Sequence, residues 1–267
     1  MLDTGKLKQP AMVLEVCVDS VASAVAAERG GAQRIELCSD LLEGGITPGP
    51  GLLALVRERL KIDVYVMARP RGGDFCYDDD EFLVMQREIE QLRRLGADGI
   101  VLGVLNEHAR VDVERTRRLV EQARPLPVTF HRAIDMTPDP VAAVGDVIRT
   151  GAERVLSSGG ARSAAKGSAT LRALQSAAGG QIAVMAGGGL MPENVRELAH
   201  QTGVTEFHAS LRRTVPSRVA FHRPGVTMGE VGGNREYLRY VTLEEDVRAM
   251  MEALAQLAQE NVAGLIV

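Results

Sequence analysis

The sequence predicts a single α/β domain of the closed (βα)₈ TIM-barrel class, and three observations carry that expectation. Short apolar runs alternate with helical patterns eight times along the 267 residues. A weak glycine-led repeat divides the chain into quarters. The turn after the first run, Val18-Asp19-Ser20, is a helix N-cap and lacks the GxGxxG phrase of an open doubly wound sheet.

The eight strand candidates, in order, are Val13–Val18, Arg34–Ser39, Asp63–Arg69, Gly99–Val104, Pro127–Ala133, Arg154–Gly159, Ile182–Gly188 and Glu206–Leu211. Patterns of 3.6-residue period fill most gaps between them, as at Ser20–Arg29, Asp79–Leu95, Asp112–Ala123 and Pro192–Gln201. Gly31-Ala32, Gly96-Ala97, Gly151-Ala152 and Gly203-Val204 each end a helical pattern, where glycine suits a left-handed C′ position, and each leads into an even-numbered strand. Four such copies imply four βαβα quarters, and eight strands can close. Residues 1–12 are expected to be a flexible N-terminus. Residues 212–242, rich in Arg, Gly and Pro and without a period, are expected to form a long loop, a lid or an oligomer contact, before the helix Leu243–Gln259 closes the ring.

Composition is that of a soluble globular chain, 45% hydrophobic and 25% charged, with 31 Lys and Arg against 35 Asp and Glu. That balance argues against a nucleic-acid or membrane partner, and the absence of tryptophan argues against stacking platforms for single strands. No run approaches the ~20 apolar residues of a membrane helix. The start lacks an apolar region long enough for a secretory signal. Three cysteines with no CxxC pair fit a reducing cytoplasm better than a disulfide framework.

Side chains on a barrel strand alternate between the helix layer and the interior. If Leu14, Val16 and Val18 face the helices, Glu15 and Cys17 face inward. Ile35 and Leu37 likewise leave Glu36 and Cys38 inside. The same parity sends Tyr65, Met67, Arg69, Thr129, His131, Met185, Gly187, His208 and Ser210 inward. Buried charges of this kind either form a satisfied ion network or serve a site. Their position late in several strands points to the mouth where barrel active sites lie.

Four groups of residues could carry chemistry there. Cys17 and Cys38, in the matching phrases LEVC and IELC on neighbouring strands, could offer soft ligands to Cu(I), with Met67 as a thioether on the next strand; the alternative is a pair of small buried hydrophobes. Glu15, Glu36 and His131 could move protons while Arg69 holds an anion, or the three could ligate a hard cation. Ser157 and Ser158 after the sixth strand, and Gly187, Gly188 and Gly189 after the seventh, could offer backbone N–H groups to a phosphate. The stretch Arg69-Pro70-Arg71-Gly72-Gly73 reads as a glycine-hinged lid in which Arg71 is a further anion contact.

The phrases LEVCVDS, RIELCSDLLEGGITPG, RPRGGDFCY, VTFHRAIDM, RVLSSGG and AGGGL together resemble the CutC family, named for copper homeostasis. That resemblance runs from about Leu14 to Ser210. It implies a (βα)₈ barrel, a cytoplasmic location, self-association as a homodimer or higher homo-oligomer, and Cu(I) ligands at Cys17 and Cys38. Two functions follow: a copper-binding homeostasis protein, or an enzyme acting on a small anionic or phosphorylated metabolite through Glu15, Glu36, Arg69 and His131.

Overall fold

A computed structural model describes residues 12–223, 225–226 and 235–263. Eight parallel strands close on themselves in chain order: β1 Val13–Val18, β2 Arg34–Leu37, β3 Asp63–Met67, β4 Gly99–Leu102, β5 Val128–Phe130, β6 Arg154–Ser157, β7 Ala183–Gly187 and β8 Glu206–Ala209. Around them run α1 Val21–Arg29, α2 Pro50–Arg59, α3 Asp79–Arg94, α4 Val113–Ala123, α5 Pro140–Thr150, α6 Ser168–Ala178, α7 Pro192–Thr202 and α8 Glu244–Ala263. This is the closed barrel the alternation predicts, and β1 pairs with both β2 and β8.

Local chemistry accounts for where the elements start and stop. Ser20 caps α1 by accepting from the Ser23 N–H at 3.3 Å. Asp78 and Glu81 form a reciprocal capping box on α3. Gly31, Gly96, Gly151 and Gly203 all take positive φ, between 75° and 98°, so the repeated glycine marks left-handed helix ends as its spacing predicts.

The strand parity is visible in how apolar side chains cluster. Leu14, Val16, Val18, Ile35, Leu37, Val64 and Val66 pack with helix residues such as Leu53 and Met85 in the main core between sheet and helices. Cys38, Tyr65, Met67 and Val101 form a separate small cluster inside the barrel.

Two differences from the sequence reading concern the mouth. All strands after β1 end before the predicted positions, because the chain leaves the ladder there to form the βα loops. His131, for example, still donates its N–H to Leu102 O at 2.9 Å, but it already caps a short 3₁₀ turn over Arg132–Met136. The second difference is the expected long loop, whose ends pair as an antiparallel ribbon, β9 Arg212–Pro216 with β10 Leu238–Thr242. Thr242 anchors the ribbon, donating its N–H to Ser23 Oγ at 3.2 Å and its hydroxyl to Ser210 O at 3.0 Å. The expected flexible start, residues 1–11, and positions 224 and 227–234 of the expected loop lie outside the described residues.

Candidate functional site

Parity puts a column of ionisable groups inside the barrel, and the register sorts them into two levels. On the lower level Arg34 is the hub. It donates to Glu15 through Nε and to Glu206 at 2.9 Å through Nη2, while Arg154 donates to the other side of Glu206. Both guanidinium groups lie over the Tyr65 ring, that of Arg34 at 4.7 Å and that of Arg154 at 5.6 Å from its centroid. Each charge here has an opposite partner, as buried charges require.

Glu15 joins this floor to the level above. Its Oε2 faces Arg34 and its Oε1 accepts from His208 Nδ1 at 2.7 Å. Burial alone pushes the Glu15 carboxyl up, but Arg34 and His208 overcome it and hold the group down at about 2. Glu15, an expected acid/base group, is 0% exposed, and its two oxygens are engaged by Arg34 and His208.

With Nδ1 committed to Glu15, His208 presents Nε2 upward, 3.9 Å from Glu36 Oε2. Ligand atoms of Cys17, Glu36 and His208 all lie within 4.8 Å of one another, and all three residues are buried. Burial pushes the His208 imidazolium down, yet Cys17 and Glu36 outweigh it and raise its pKa well above the ordinary value. Burial also raises the Glu36 carboxyl, with His208 opposing and Glu15 adding to the rise.

Cys38, expected as the partner of Cys17, is not part of this three-residue set, although it lies near enough to Cys17 to feel its charge. The register matches Cys17 with Glu36, so Cys38 stands two residues further along its strand, roughly 6.6 Å higher. Its Sγ instead donates to Glu36 Oε2 at 3.3 Å, and the side chain is 0% exposed against Tyr65 and Met67. Burial first, then Glu36, drives its thiol pKa well up.

Two adjoining cavities open at the mouth. One, of about 230 Å³, is lined by Glu36, Met67, Arg69, Phe75, His131 and His208 among others. The second, of about 250 Å³, adds Cys17, Gly188 and Gly189 and shares Glu36, Arg132 and His208 with the first. His131 is neutral: burial first, then the charge of Arg69, lowers its pKa to about 3. Its Nδ1 accepts the Ala133 N–H at 3.2 Å, which leaves the proton on Nε2.

The expected anion contacts are mostly spent within the protein. Arg71 pairs with Glu81 and Asp74 and donates to the carbonyls of Gly72, Asp74 and Cys76, so it cements its own loop. Arg69 gives Nη1 to Glu43 O and Gly45 O and Nη2 to Gly73 O, at 2.8–2.9 Å. The cradle after β6 is filled by Asp135, whose carboxylate accepts from Ser157 Oγ at 2.6 Å, Ser158 N at 2.9 Å and Gly160 N at 2.9 Å. Arg132 covers that carboxylate at 2.8 Å. Gly187 serves packing, since a Cβ there would lie 2.7 Å from Leu156 Cδ1. Gly188 and Gly189 remain at the edge of the second cavity.

Sequence reasoning passed over Arg34, Glu206 and Asp135, and it placed His208 inside without assigning it to the site. Parity was the available signal for Arg34 and Glu206, which share the inward set with Glu36 and His208. Asp135 gave none, because it lies off the strands in the RAID turn.

Comparison with known proteins agrees with this architecture. The CutC family model matches residues 12–213. A CutC family protein of Chromobacterium violaceum is 50% identical over 91% of this chain and 98% of its own. The copper homeostasis protein cutC homolog of Mus musculus is 48% identical over 89% and 88%. The crystal structure of CutC from Streptococcus agalactiae superposes with a TM-score of 0.70 at 30% identity, over 74% of this chain and 98% of that one. The barrel, the phrases that line its mouth and the extent of these matches agree: this chain belongs to the CutC family.

Proposed function

We propose that the chain acts in copper homeostasis, as the name of its mouse relative says of that protein, by binding Cu(I) at the barrel mouth through Cys17 and His208. The observation that carries the reading is the set of Cys17, Glu36 and His208 ligand atoms within 4.8 Å of one another. A thiolate and an imidazole are soft enough for Cu(I), and Glu36 offers a weaker third contact. Glu15 on His208 Nδ1 is the carboxylate–histidine arrangement that fixes a ligating ring, and Cu(I) takes Nε2 by displacing its proton. Cys38 supports the site from behind by bonding Glu36 and is not a ligand.

The reading requires a reducing cytoplasm, where thiols persist. Among the described residues no helix is long and apolar enough to cross a membrane. Self-association belongs to the same proposal, with exposed Val219, Phe221 and Leu238 on the ribbon side supplying apolar surface for it.

The test is anaerobic competition for Cu(I) against a chromogenic chelator. The wild-type chain and Cys38→Ser should both withdraw copper, while Cys17→Ser and His208→Asn should not. Copper uptake by Cys17→Ser equal to that of the wild type would overturn the proposal.

A further inference from the structure

Copper binding uses one oxygen of Glu36 and leaves the first cavity without an occupant of its own. Three buried polar atoms of its lining residues have no hydrogen-bond partner among the described residues: Glu36 Oε1, Arg69 Nε and His131 Nε2. Each residue is at most 4% exposed, so each unpaired atom has been taken out of bulk water without a compensating bond. They belong to three different strands or strand ends, β2, β3 and β5, and the three residues line one opening.

Their chemistry specifies a ligand. His131 donates from Nε2, because Nδ1 is engaged with Ala133. Arg69 has Nε–H and one Nη2–H uncommitted, since both Nη1 hydrogens and the other Nη2 hydrogen hold the carbonyls of Glu43, Gly45 and Gly73. These N–H donors ask for carbonyl, carboxylate or hydroxyl oxygen, and Glu36 Oε1 asks for a hydroxyl. Between the polar groups lie Met67, Phe75 and Leu156, which suit carbon–hydrogen faces. The cavity of about 230 Å³ has room for roughly ten non-hydrogen atoms. A phosphate is not called for, because Asp135 already fills the neighbouring cradle.

We infer that this cavity binds a small polyhydroxylated compound of pentose size, held by His131 and Arg69 through an oxygen acceptor and by Glu36 through a hydroxyl. The inference goes beyond copper binding and does not rest on it, since Cys17 lies in the second cavity and not in this one.

The experiment is isothermal titration of the full chain with three probes, D-ribose, D-ribonate and ribitol, which present a cyclic hemiacetal, a carboxylate and open-chain hydroxyls alone. At least one should bind saturably with Kd at or below roughly 1 mM, the scale for about ten non-hydrogen atoms. Which probe wins identifies the oxygen that faces His131 and Arg69. His131→Phe, which keeps a ring beside Phe75 and removes the Nε2 proton, should weaken binding at least about tenfold. His131→Asn, smaller and able to accept from Ala133, should do the same if the phenylalanine variant fails to fold. Cys17→Ser should leave binding unchanged while it abolishes copper uptake, so the two proposals fail separately. No saturable binding of any probe, or binding that both His131 variants leave intact, would overturn the inference.

Discussion

Replacing His131 with asparagine should flatten the acid side of the stability curve, and the structure sets the size of the effect. The imidazole is buried and faces Arg69, with Glu36, Arg132, Asp135 and His208 on the same cavity wall, and its pKa falls to about 3 from an ordinary 6.5. Between those two values the unfolded chain binds a proton that the folded one refuses. The sign follows from linkage: stability falls as pH drops through that window, by about 1.4 kcal/mol per pH unit, and levels off below about 3. Above the ordinary histidine value neither state is protonated and the group contributes no pH dependence.

Between roughly pH 6.5 and 4.5 the His131 contribution amounts to about 2 kcal/mol. The asparagine variant keeps an acceptor for the Ala133 N–H but cannot titrate. Urea unfolding of both chains across that range gives two curves whose difference isolates His131, because every other group is common to both. The variant should lose less stability with acid by about one proton's slope. Parallel curves would refute the argument and show that the imidazole can take up a proton in the folded state, with a solvated path that its burial denies.

Two further predictions concern the charges that were not assigned to the site from sequence. Arg34→Met should cost about 3–5 kcal/mol in urea unfolding, since it strips Glu15 and Glu206 of a shared buried partner, and a loss under about 1 kcal/mol would deny the floor network a structural part. Asp135→Ala should destabilise the chain by about 1–3 kcal/mol and make it responsive to sulfate, because the donors of Ser157, Ser158 and Gly160 lose their carboxylate and can take an anion instead. A variant that sulfate stabilises no more than the wild type would show that those donors do not form an anion cradle.

How far the sequence could be read depended on whether a feature was local. The glycines at helix ends and the alternation on each strand are local, and they were enough to give the closed barrel and to send Glu15, Glu36, Arg69, His131 and His208 inward. Register between strands is not local. LEVC and IELC look aligned on the page, yet the parallel ladder pairs Glu15 with Arg34 and Cys17 with Glu36. That stagger is a property of the closed ring as a whole, and it sets Cys17 opposite Glu36 and near His208, with Cys38 two residues further along its strand. The glycine-rich turn after β6 was misleading for a related reason. Its amides do bind an anion, but the anion is Asp135 from the preceding βα loop.

The two levels of the interior differ in a way that bears on function. On the floor each guanidinium faces a carboxylate and one polar atom, Arg154 Nη1, stays unpaired, whereas at the mouth Glu36, Arg69 and His131 each keep one unpaired among the described residues. A purely structural network would gain by closing those gaps, at about 1–3 kcal/mol for each buried group left unsatisfied. Glu15 couples the levels: it takes Arg34 from below on one oxygen and His208 from above on the other. Loss of the Arg34 contact would free Glu15 to shift, and the orientation of the His208 ring would go with it. The floor is therefore part of the site it does not touch, and a substitution at Arg34 should be felt at Cys17 and Glu36 as a misplaced imidazole.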